Sequence, residues 1–247
     1  MQAPARFQAA LLALFVAFFI YWLSDSPYEL HVVIHIVPTC LAVVLLAISI
    51  TQFPLSSARF CGIICFLALH VLGTRYIYTF VPYPRWADTL LGANVRETLS
   101  GRNHYDRFVH VSYGLLIVPF AREAYQRLAR VSFSWNCFFA VEFILASSLL
   151  FEIAEWLGAV NLAPEFAESY LGQQGDLWDA HKDMGLAFIG AVMSVAVLIL
   201  VKSVGGDQRK PAADAEAKHP TNATTVVSNL SLQTRLPPSL SYTAPLP

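Results

Sequence analysis

The stretch MGLAFIGAVMSVAVLILVKSV, Met184 to Val204, carries one ionisable side chain, Lys202, in 21 residues. A membrane-spanning helix needs roughly 20 mostly apolar residues, and this run supplies them without a break. Outward from it the pattern recurs at Phe7–Leu23, Leu30–Ile50, Phe60–Phe80, Arg107–Arg127 and Phe133–Val160. The reading is an all-α, polytopic membrane protein with about six transmembrane helices over residues 1–204. Pro38 and Pro119 fall inside two of these spans, where kinks are expected. The run from Phe133 is too long for one flat span, so its last turns, around Glu152 to Trp156, are expected to emerge at a surface. Residues 205–247 change character. They are rich in Pro, Ala, Ser and Thr, show no apolar period, and read as a disordered cytoplasmic tail.

Composition agrees with that class. The 247 residues are 56% hydrophobic and 13% charged, with a mean hydropathy of +0.52. A soluble domain carries about 25% charged residues. A net charge of -1 excludes a nucleic-acid partner, which needs a basic face. Cys40, Cys61, Cys65 and Cys137 all lie in apolar runs without zinc-ligand spacing, and read as packing residues. The first segment follows Arg6 as a secretory signal would, but no small-residue cleavage site comes after it, and it is read as a retained span.

Basic residues set the expected orientation. With the N-terminus inside, the cytoplasmic segments include Arg6, Arg59, Arg122, Arg127, Arg130, Lys202, Arg209, Lys210 and Lys218. The outer segments hold five: Arg85, Arg96, Arg102, Arg107 and Lys182. The positive-inside rule then gives a multi-pass protein of the bacterial inner (plasma) membrane, N-in and C-in.

Three polar strings interrupt the apolar pattern: RNHYDRFVH at 102–110, EIAEW at 152–156 and GDLWDAHKDM at 175–184. Ionisable groups at membrane depth are costly and are usually kept for a task. Alternating spans bring the end of the third, the start of the fourth, the end of the fifth and the start of the sixth to one face. His70, Arg75, Tyr76 and Tyr78 then approach Arg102, Asn103, His104, Asp106, Arg107 and His110, with Glu152, Glu155, Asp176, Asp179, Lys182 and Asp183 opposite. Asp106 and His110 are four apart, Glu152 and Glu155 three apart, so each pair shares a helix face. Asp176, Asp179 and Asp183 form one stripe if their helix starts early.

Such a carboxylate cluster cannot stay ionised without cations to neutralise it. Either the arginines do so or a metal does. On the metal reading Asp106, Glu152, Glu155, Asp176, Asp179 and Asp183 are the candidate ligands, and oxygen-rich sites suit Mg²⁺, Mn²⁺ or Ca²⁺. His110 or His104 would serve as acid or base, and Arg102 or Arg107 would grip an anion. The depth, at headgroup level, fits membrane lipids as partners and a phosphate-bearing lipid or envelope precursor as substrate. Plainer readings stand beside this one. Glu152 and Glu155 would be a solvated helix end, Asp176 a helix N-cap, and the whole network a packing device. A small-ligand binder or transporter is a further alternative, although the polar strings fall in the last three of the six spans and their connections, unlike a transporter's paired repeats. His31 and His35 are assigned to packing, and His181 and His219 to no role. Trp86, Trp156 and Trp178, with Tyr76, Tyr78 and Tyr83, read as an interfacial aromatic belt.

The three strings, the last extended to GQQGDLWDAHKDMGLAFIGA at 172–191, resemble the YjdF-like family of predicted bacterial inner-membrane proteins. The resemblance covers about residues 30–200. Where that family usually has glutamine, this chain has His181. The order Asp106-Arg107, His110, Glu152 and then aspartates before a Gly-Ala helix is also similar to VanZ-like proteins. That likeness would imply a role in glycopeptide-antibiotic tolerance, but Glu155 and Asp183 replace residues typical of that family.

Overall fold

The computed structural model describes residues 3–24, 29–91, 101–161, 167–168 and 171–207. Among the described residues there are seven helices: α1 Ala3–Leu23, α2 Glu29–Gln52, α3 Ser57–Arg75, α4 Tyr83–Leu91, α5 Tyr105–Leu128, α6 Phe133–Asn161 and α7 Asp179–Asp207. No strand occurs among the described residues. Residues 1–201 form one compact unit. The tail expected from residue 205 lies outside the described residues, apart from the end of α7.

Five helices, α1, α2, α3, α6 and α7, are long and apolar enough to cross a membrane. The fourth segment of the sequence reading folds as α5, equally long but with Asp106, Arg107, Arg122, Glu123 and Arg127 near its ends. Composition alone does not qualify it as a span. It is packed inside instead, with Val118 and Ile117 buried against α3 and its neighbours. Pro38 and Pro119 do lie within helices, α2 and α5. The nine-residue α4 was not foreseen. It is too short to span, and Trp86 and Leu90 are exposed on it, as on a helix lying in a membrane interface.

The main core cluster includes Phe15, Phe60, Val71, Val118, Ile144, Ala187 and Ala191, and a smaller one groups Tyr78, Val81, Tyr105 and Val109. Large apolar side chains such as Leu14, Leu41, Leu150 and Leu200 face outward, as a lipid environment permits. At the end of the bundle away from the polar strings, Glu123 pairs with Arg59 (3.1 Å) and with Arg127, and Arg127 Nη1 donates to the Pro54 carbonyl (2.6 Å). These contacts tie the α2–α3 connection to α5.

One span ends earlier than its apolar run. α3 stops at Arg75 and not at Phe80 because the chain turns back on itself. Ile77 and Tyr78 adopt φ of 42° and 52°, a strained choice for bulky residues. The Tyr78 N–H donates to the Gly73 carbonyl (2.7 Å). Gly73 is required there, since a Cβ would stand 2.5 Å from the Tyr78 ring. Tyr78 is consequently buried and does not belong to the aromatic belt. Trp86, Trp156 and Trp178 are exposed as a belt requires.

Candidate functional site

The C-terminal ends of α3 and α6 and the N-terminal ends of α5 and α7 carry the polar strings. Asp106 and Asp179 lie in the first turns of α5 and α7, where the positive end of the helix dipole favours a carboxylate. Glu152 and Glu155, towards the end of α6, have no such help.

The site has two halves. The outer half is an ion-pair network centred on Asp176 and Asp179. Arg102 pairs with Asp179 through Nη2, and its Nη1 donates to the Gln173 carbonyl (2.6 Å). Arg107 Nη2 lies 2.6 Å from Asp176 Oδ2 and 3.4 Å from Asp179 Oδ1. Lys182 Nζ reaches Asp176 at 2.5 Å. Asp176 precedes α7 and does not join a helical stripe; its Oδ1 accepts from the Trp178 N–H (3.1 Å). The Lys182 ammonium, with that amide and Arg107, holds the Asp176 carboxyl below its ordinary value, at about 2.

The inner half is less fully partnered. His110 Nε2 lies 3.5 Å from Asp106 Oδ1 and 3.6 Å from Glu152 Oε1. Asp106, His110 and Asp183 each offer a donor atom, and these atoms all lie within 4.8 Å of one another. Asp183 is 2% exposed, and its Oδ1 has no hydrogen-bond partner. Glu152 Oε1 and Asp179 Oδ2 are likewise buried without a hydrogen bond. Leaving buried acceptors unsatisfied is costly, and three such oxygens lie at this end of the bundle.

The structure therefore brings Asp106, His110, Asp183 and Glu152 together, and sets Arg102, Arg107, Asp176 and Asp179 beside them. Glu155 lies one turn from Glu152 on α6. His104 is at the cap position of α5. Its backbone N–H meets Tyr83 Oη (3.2 Å), and its ring makes no contact with the carboxylates. His181 packs on Trp178, with ring centroids 5.4 Å apart.

Gln174 and Gly172, not singled out from the sequence, join Asn103 in holding the loop over the site. Gln174 Oε1 accepts from the Asn103 N–H (2.8 Å), while Gln174 Nε2 donates to the Asn103 carbonyl (3.0 Å). Asn103 Nδ2 donates to the Val81 carbonyl (2.8 Å). Gly172, at φ 68°, lets the loop come down on Asp106; a Cβ there would lie 3.3 Å from Oδ2. The signal was present in the glutamine pair Gln173-Gln174 beside Gly172 and Gly175, but neutral amides carry no spacing rule.

Residues 7–203 match the family model described as a predicted membrane protein, DUF2238. The chain belongs to that family. It is also 32% identical over 165 residues to the inner membrane protein YjdF of Escherichia coli (strain K12), covering 66% of this chain and 75% of that protein. No solved structure matches the chain. The DUF2238 match spans α1 to α7, so the three polar strings and the loop over the site all lie within the family's region.

Proposed function

We propose that this DUF2238 protein is a metal-dependent enzyme of the inner membrane that acts on a phosphate-bearing lipid or envelope precursor. The carrying observation is the inner half of the site, where Asp106, His110 and Asp183 present donors within 4.8 Å of one another and Asp183 keeps a buried, unpartnered oxygen. Two carboxylates and an imidazole suit Mn²⁺ or Zn²⁺ better than an all-oxygen Mg²⁺ or Ca²⁺ site. A cation there supplies Lewis acidity towards a phosphoryl oxygen and acidifies a bound water. His110 acts as a ligand in this reading. Glu152, 3.6 Å from it, is the carboxylate placed to take a proton. Arg102 and Arg107 are engaged by Asp176 and Asp179, and serve first to neutralise them and to hold the loop.

The basic-residue balance supports six crossings, with α5 as the fourth and both termini cytoplasmic. The site then faces the outer side of the membrane. Metal analysis tests the reading. Detergent-purified protein is washed with chelator, reloaded with Mn²⁺ or Zn²⁺ and desalted. Wild type should retain stoichiometric metal, and Asp183→Asn and Asp106→Asn should not. A wild type that retains none, or variants that retain as much, ends the metal reading.

A second reading is favoured by the outer half alone. Arg102, Arg107 and Lys182 all point at Asp176 or Asp179, as in a network that fixes one packing of the helices.

A further inference from the structure

We propose that a cavity of about 280 Å³ between α2, α3, α5 and α6 seats a single hydrocarbon chain of a membrane lipid whose polar end lies at His110. The identity of that polar end rests on the proposed function; the chain seat does not.

The cavity adjoins the site through one residue. His110 contacts Asp106 and Glu152 and also lines the cavity wall. Part of the wall, with His70, Tyr78 and Phe151, stays level with His110, and the rest lies deeper along each helix. The deeper part includes Ala42 of α2, Phe66 and Leu67 of α3, Tyr113 of α5 and Ser148 of α6. At about 1.5 Å per residue, Ser148 and Leu67 lie a turn farther into the bundle than Glu152 and His70. The volume is close to the low end of the roughly 300–1,000 Å³ usual for small-molecule pockets. It suits one chain and not two.

The lining is mainly apolar, and its hydroxyls are unequal. Thr39 Oγ1 donates to the His35 carbonyl (3.0 Å), and Ser147 Oγ to the Ile144 carbonyl (3.2 Å), the usual way a hydroxyl is satisfied within a helix. Ser148 Oγ, on a residue 2% exposed, has no partner. It stands one turn below Glu152 on α6, where the first polar atoms of an ester or phosphoester would follow the headgroup. Apolar cavities in proteins stay dry and take apolar guests. In a chain with five apolar spanning helices, the abundant apolar guest is a lipid chain.

The test is photolabelling. Purified protein in nanodiscs is irradiated with a long-chain fatty acid bearing a photoactivatable group near its end, and the label is mapped by mass spectrometry. Wild type should be labelled on α2 and α3 around Ala42 and Phe66. Ala42→Phe, which fills the cavity, should reduce that label by about tenfold. Leu41→Phe, on the exposed side of the same helix, should leave it unchanged. Equal labelling of wild type and Ala42→Phe, or label confined to outward-facing residues, overturns the inference. Should Ala42→Phe fail to fold, Ser148→Leu replaces it under the same criteria. Metal retention measured on the same samples separates the two proposals. Cavity labelling without metal leaves the chain seat standing and removes the metal enzyme, and metal without labelling does the reverse.

Discussion

Gly114 of α5 and Ala187 of α7 meet backbone to backbone. A Cβ on Gly114 would stand 2.0 Å from the Ala187 carbonyl oxygen, and one on Gly190 would stand 2.1 Å from that of Val111. Close approach of this kind is how small residues bring helices together in membranes. His110 lies one turn above Gly114, and Asp183 one turn above Ala187. The glycine contact thus sets the spacing of the candidate ligands.

Gly114→Val should therefore separate α5 from α7. Overpacking usually costs about 1–3 kcal/mol, and here the obstruction is backbone, so the loss should reach the top of that range. Thermal unfolding in detergent should show it, with metal retention lost in parallel. A variant as stable as wild type would mean that the helices are not in contact there.

Arg102→Ala removes the nearer cation from Asp179, which is 2% exposed, and leaves it the longer Arg107 contact of 3.4 Å. Removing one partner of a buried pair costs about 3–5 kcal/mol. Arg102→Ala combined with Asp179→Asn should recover much of that loss. If the single change leaves stability intact, Arg102 is available for a substrate anion and the structural account of it fails.

Asp176 gives a pH signature. Its ordinary value of 3.8 falls to about 2 in the folded protein. A depressed carboxyl stabilises above the unfolded value, and the contribution disappears as pH falls through the folded one. The stability difference between wild type and Asp176→Asn should be constant above about pH 5 and shrink towards about pH 2. A difference independent of pH over that window would show that Lys182 and Arg107 do not hold the carboxylate.

Reporter fusions address orientation. A fusion at either terminus should report the cytoplasm, and one inserted at Gly101 the outer side. Termini on opposite faces would remove α5 from the set of crossings.

Spans and polar strings could be read from sequence for a simple reason. Helix periodicity and hydropathy are local, and alternating crossings place Asp106, Glu152 and Asp183 at one end whatever the packing details. Three things follow from neither periodicity nor hydropathy. The reversal at Ile77 and Tyr78 depends on Gly73 making room four and five residues earlier. The division of the carboxylates depends on which of them Arg102 and Arg107 reach across about 70 residues of chain. The interior of α5 reads as ambivalent because its ends are charged, although its middle is buried.

Gln174 extends the loop's meaning. Its amide gives and takes a hydrogen bond with the two backbone groups of Asn103, as a neighbouring peptide group would in a sheet. A side chain is imitating main chain, and the imitation depends on one nitrogen. Deamidation to glutamate would turn that donor into a second acceptor facing the Asn103 carbonyl. It would also add negative charge beside a cluster already rich in it. The cover over Asp106 thus depends on the neutrality of one side chain.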